Sequence, residues 1–123
     1  MTQPLVIVFY ERLMPGSQLV NRLQDLNYRV LAVNNPAQLA PIARRESPLL
    51  VVVDLDARGD VCDAIARVKA DAATGHLPVI AFAPDNRPEL FESAQKAGAS
   101  LAVGESALTG HLQAILQQAL QFD

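Results

Sequence analysis

Five short apolar runs punctuate the chain: Leu5–Tyr10, Arg29–Val33, Leu49–Leu55, Val79–Ala83 and Leu101–Val103. Most are continuous rather than alternating, the pattern of strands covered on both faces, as in a parallel sheet. The segments between them carry helical spacing. After Pro15-Gly16-Ser17, Leu19, Leu23 and Leu26 fall on one side with Val20. Asn27 follows where a helix ends in a left-handed residue, a conformation that Asn tolerates. Asn35-Pro36 joins an N-cap to a proline in the first helical position. Pro41, inside the same segment, denies a hydrogen bond to the carbonyl of Ala37 and predicts a helix that is short or begins late. Asp60 and Asp63 have the spacing of a capping box and predict a helix to about Ala73, stopped by Thr74-Gly75. Pro88 lies in the first turn of the next helix, where Leu90, Ala94 and Ala97 share a face before Gly98. Leu112, Ile115, Leu116 and Ala119 form the apolar stripe of the last helix. Gln113, Gln117, Gln118 and Gln121 cover much of its remaining surface.

The order is strand then helix, five times over, with no linker, repeat or low-complexity stretch. Such connections are right-handed crossovers onto a parallel sheet, which predicts a doubly wound α/β sandwich and a single domain across residues 1–123. Val6, Ile7, Val8, Val51, Val52, Val53, Val79, Ile80 and Phe82 are its expected core. With 50% hydrophobic and 19% charged residues the chain can bury a core, which excludes disorder. A formal charge of -3 and an isoelectric point near 5.2, with Arg44-Arg45 the only adjacent basic pair, give no footprint for nucleic acid. Apolar runs of about six residues fall far short of the roughly 20 that span a bilayer, so no membrane partner is expected. The uncharged start Met1-Thr2-Gln3-Pro4 lacks the basic end of a secretory signal, which predicts a cytoplasmic protein. The single cysteine, Cys62, excludes an internal disulfide and a cysteine-built zinc site; it reads as a small buried apolar group in a reducing compartment.

Four stretches carry a resemblance. Ser47-Pro48-Leu49-Leu50-Val51-Val52-Val53-Asp54-Leu55 is similar to the third strand of bacterial two-component response-regulator receiver domains, which ends at the phosphoaccepting aspartate. Lys69 through Ile80 resembles that family's loop and entry to strand four almost residue for residue. Lys96-Ala97-Gly98-Ala99 resembles its helix end before strand five, and Leu26-Asn27-Tyr28-Arg29-Val30 its entry to strand two, with Asn27 in place of glycine. The resemblance spans essentially the whole chain. It implies a flavodoxin-like (βα)5 sandwich with a parallel five-stranded sheet in the order 2-1-3-4-5.

The family's chemistry needs more than the fold. An aspartate accepts a phosphoryl group when a magnesium ion and a cation neutralise the gathering charge. The two acids that hold the metal at the end of strand one align with Phe9 and Tyr10, and only the adjoining Glu11 is acidic. The hydroxyl at the end of strand four aligns with Ala83, the lysine at the end of strand five with Glu105, its proline with Ser106, and the aromatic reporter on strand five with Ala102. The loop after Asp54 lacks the methionine-proline-glycine turn and reads one residue shorter. Asp54 alone is retained among the principal positions. Exchanging lysine for Glu105 reverses an interaction of order ~4 kcal/mol at about 4 Å and an effective dielectric of about 20. The resemblance therefore implies a degenerate pseudo-receiver, a non-enzymatic signalling module without a cofactor.

The individual residues leave rivals. Asp54 reads as an inactive phosphoacceptor position, a structural acid that accepts loop amides near a helix N-terminus. A phosphorylatable receiver with an atypical site would instead use Asp54 with Glu11 and Asp56, and Mg²⁺ belongs to that reading alone. Phe9 and Tyr10 either fill the vacated acid pocket or line a small-ligand site. Asp54-Leu55-Asp56 also resembles the Asp-x-Asp of haloacid-dehalogenase-type phosphatases. There the motif ends the first strand of a larger domain, whereas here it ends the third strand of a short one. His76 and His111 have no paired ligand spacing, and Gly16, Gly59 and Gly104 form no phosphate-cradling pattern. The expected partners are proteins: a kinase, an output domain, another receiver or a second copy. The family's surface of helix four, strand five and helix five corresponds to about residues 86–122.

Overall fold

A computed structural model describes residues 4–11, 13–56 and 60–121. Its strands are β1 (Leu5–Phe9), β2 (Arg29–Val33), β3 (Leu50–Asp54), β4 (Val79–Ala83) and β5 (Leu101–Gly104). They form one sheet in the order β2-β1-β3-β4-β5, and each neighbouring pair is parallel. The expected doubly wound architecture is therefore present, strand order included. All nine expected core residues are buried.

The continuous apolar runs have a direct cause. Every residue of β1, β3 and β4 is buried, and successive side chains enter opposite layers. Ile7, Phe9, Val51, Val53, Ala81 and Ala83 join a cluster with Leu39, Ala43, Ile65 and Val68. These last four come from helices α2 (Pro36–Glu46) and α3 (Val61–Ala70). Val6, Val8, Leu50, Val52, Ile80 and Phe82 join the other cluster with Leu19 and Leu23 of α1 (Leu13–Asp25). The same layer takes Leu108 of α5 (Glu105–Gly110) and Leu112, Ile115, Leu116 and Ala119 of α6 (Leu112–Leu120). Helix α4 (Pro88–Ala97) contributes Ala94 to the first layer.

Several helix limits differ from expectation. Helix α1 starts at Leu13, so Pro15 and Gly16 lie inside it rather than before it. Proline is tolerated there because first-turn amides have no intrahelical acceptor to lose. Helix α2 is neither short nor late: it runs from Pro36 through Pro41 to Glu46, capped by Asn35, whose side chain accepts the Ala37 amide at 3.0 Å. Ala37 and Pro41 are exposed, so water can serve the released carbonyl while Leu39 and Ala43 hold the other face. Helix α3 begins as expected, with Asp60 accepting the Asp63 amide at 3.0 Å, but stops at Ala70. Asp71 ends it by turning outward, its carbonyl taking the Thr74 and Gly75 amides and its side chain the Ala73 amide. Asn27 and Gly98 take positive φ values of 71° and 112°, as their positions after α1 and α4 require. The (βα)5 scheme gains one element, because the segment after β5 is two helices, α5 and α6, broken at His111. Among the described residues, no helix is long and apolar enough to cross a membrane.

Candidate functional site

The carboxyl ends of β1, β3 and β4 lie side by side, the place where doubly wound folds present ligand crevices. Asp54 ends β3, opposite Phe82 of β4, and is fully buried. Its Oδ1 accepts the Asp56 amide at 3.0 Å, so the carboxylate closes the turn that leaves the strand. Asp56 is half-buried, and its Oδ1 lies 3.4 Å from Nη1 of Arg87, which comes from the β4–α4 loop. The same guanidinium donates to Glu89, and this hydrogen bond holds the Glu89 carboxyl below its ordinary range.

Around Asp54 the aligned positions are mostly apolar. Phe9 ends β1 between Val33 and Val53 of the flanking strands and is fully buried in the α2–α3 layer. Tyr10 follows it on the opposite side, half-buried against the other layer, with its amide donating to the Val33 carbonyl at 3.0 Å. Helix α1 passes so close that a Cβ on Gly16 would lie 2.1 Å from Cδ2 of the Tyr10 ring. Ala83 ends β4, fully buried, opposite Gly104 of β5. Ala102 is half-buried opposite Ala81, and Glu105 is the first residue of α5. The fold thus brings Phe9, Asp54 and Ala83 to neighbouring strand ends, with Glu105 one strand further out. Glu11 is exposed just past β1.

The magnesium implied by the resemblance needs near-octahedral oxygen ligation, which it draws from one or two carboxylates, waters and phosphate oxygens. Here the two strand-one positions are a core phenylalanine and a half-buried tyrosine, and one Asp54 oxygen already accepts a backbone amide. Among the described residues, no three His, Cys, Asp or Glu side chains come together as a metal site. That donor set does not fit the ion. A hollow of about 220 Å³ lies beside the strand ends, lined by Tyr10, Glu11, Ala32, Val33 and Asn34. It is smaller than the roughly 300–1,000 Å³ of ordinary ligand sites, and the buried Phe9 has no part in it.

His76 and His111 are exposed and lie in different parts of the chain. Cys62 is half-buried rather than buried, because α3 places it at the margin of its apolar stripe. Burial, with a smaller contribution from Asp60, raises its thiol pKa. The shortened loop after Asp54 and Gly59 fall on 57–59, outside the described residues, as do Met1–Gln3 and the end of the 86–122 surface. Two polar residues that no motif in the sequence marks, Asp85 and Arg87, join this region. The Asp85 carboxylate accepts the Ser106 hydroxyl and, at 3.4 Å, the Ser106 amide, and Arg87 reaches Asp56. Pro84-Asp85-Asn86 signals a turn, but nothing in the sequence joins that turn to a serine 21 residues away.

No protein-family model matches the sequence, and no curated protein does. Solved structures do match. The receiver domain of a sensor histidine kinase from Pseudomonas aeruginosa, solved with a magnesium ion coordinated in its active-site cleft, superposes with a TM-score of 0.87 at 20% identity, covering 97% of this chain and 98% of that one. A chemotaxis response regulator of Vibrio cholerae gives 0.83 at 15% identity, covering 96% and 99%. A response regulator from Thermotoga maritima gives 0.79 at 20% identity, covering 97% and 98%. Identities this low speak to architecture, and what they establish is that the chain has the fold of the response-regulator receiver domains.

Proposed function

We propose that the chain is a single receiver-like signalling domain that works by protein–protein contact and without phosphorylation of Asp54. One observation carries this reading. Asp54 stands between strand ends whose aligned neighbours, Phe9 and Ala83, are both fully buried apolar residues of the same core layer. A phosphoaspartate adds roughly 1.5 to 2 negative charges, which need donors or cations to meet them. Phe9 and Ala83 supply neither, and Glu105 brings a negative charge in place of the family's lysine. Arg87 is a cation near the site, and its guanidinium is already engaged by Asp56 and Glu89. Asp54 itself acts as a turn-closing acid through the Asp56 amide.

On this reading the scaffold presents a surface rather than a reaction. The partner is a kinase, an output domain, another receiver or a second copy, and the face made by α4, β5, α5 and α6 is its docking place. No cofactor takes part. Isothermal calorimetry with Mg²⁺ tests the reading on the unmodified domain. The expected result is no specific binding at concentrations below about a millimolar, since at most one or two acidic ligands are on offer. Saturable sub-millimolar binding that Asp54→Asn abolishes would favour a phosphorylatable receiver with Glu11 and Asp56 as substitute ligands.

A further inference from the structure

We propose that Asp85 is a latch that fastens the β4–α4 loop to the start of α5, and that Gly104 exists to let it close. The Asp85 carboxylate accepts both the hydroxyl and the amide of Ser106, the second residue of α5. The helix lacks a cap of its own, because the residue before it is Gly104, which has no side chain to offer. Gly104 has φ -75° and ψ 156°, extended backbone that any residue adopts. Its glycine is therefore not explained by dihedral freedom. Space explains it: a Cβ there would lie 2.0 Å from Asp85 Oδ1. The carboxylate sits in the notch that the missing side chain leaves.

Two residues further along the same loop, Arg87 reaches Asp56 on the turn after β3. The loop is thereby tied at one side to the turn that Asp54 closes and at the other to α5. The latch holds the surface of α4, β5 and α5 in one arrangement without a phosphoryl group. This consequence for signalling rests on the phosphorylation-independent reading above, whereas the latch itself does not.

Hydrogen exchange on the full chain, with urea melts of the same variants, tests it. Asp85→Ala is expected to speed exchange of the α5 amides, including that of His111 on the Ala107 carbonyl, by about tenfold or more. Amides of β1 and β3 should hold their rates and serve as the check that the domain is folded. Ser106→Ala should reproduce the effect, and it supplies the answer should Asp85→Ala not fold. Gly104→Ala should do the same in the native background, yet add nothing in an Asp85→Ala background, where the notch is empty. Unchanged α5 exchange in both Asp85→Ala and Ser106→Ala overturns the latch. So does a Gly104→Ala effect of equal size with and without Asp85. Failure of the functional reading looks different, as a phosphoryl adduct on Asp54 with the latch variants still behaving as described.

Discussion

Replacing Phe9 with aspartate, which rebuilds one of the acids that the resemblance implies, is expected to cost the domain most of its stability rather than create a metal site. Phe9 is fully buried between Val33 and Val53. Truncating a buried phenylalanine costs about 3–5 kcal/mol. A carboxylate in the same place adds the penalty of an unmet polar group, about 1–3 kcal/mol, and faces the Asp54 end of the neighbouring strand. Against a typical total of about 5–15 kcal/mol this threatens the fold itself. Urea unfolding of Phe9→Ala and Phe9→Asp separates the two terms, with the aspartate variant expected at the lower midpoint. Mg²⁺ should rescue neither. An aspartate variant as stable as the alanine one, and further stabilised by Mg²⁺, would mean that the strand end is a dormant metal site.

The second large effect is expected at Gly16, inside α1. Alanine is normally the better helix former of the two, by up to roughly 1 kcal/mol. Here the sign reverses, because an added Cβ would overlap the Tyr10 ring, 2.1 Å from Cδ2 and 2.5 Å from Cγ. The ring lies against the α1–α6 layer and has to leave it. Gly16→Ala should cost about 1–3 kcal/mol, and Gly16→Val should cost more. In a Tyr10→Ala background the same Gly16→Ala change should become neutral or stabilising. That rescue, read from thermal or urea melts, distinguishes a lost ring position from a general intolerance of α1.

The fold was legible because its central strands are buried on both sides. Val51, Val52 and Val53 alternate between two layers, and no polar residue interrupts them until Asp54. That continuity gave the parallel sheet, and the placement of Asp54 at the strand end followed. Local breakers weigh less than their residue type implies. Pro15 and Gly16 sit in a first turn, and Pro41 sits on a wet face, where tertiary packing of Leu19, Leu23 and Leu39 outweighs propensity. The break at His111 that separates α5 from α6 left no proline or charge pattern to find. Phe9 and Tyr10 are adjacent in sequence, yet successive strand-end residues face opposite layers, so one fills the core and the other packs on Gly16. The Asp85–Ser106 and Arg87–Asp56 contacts join positions 21 and 31 residues apart, and only the closed sheet brings them within reach.

Asp54 is expected to stay unmodified where a working receiver would be phosphorylated. Intact-mass spectrometry after incubation with acetyl phosphate and Mg²⁺ at low temperature, beside a competent receiver as control, tests it most directly. The mass of this chain should be unchanged while the control gains its phosphoryl group. A stoichiometric adduct on this chain that disappears in Asp54→Asn would contradict it.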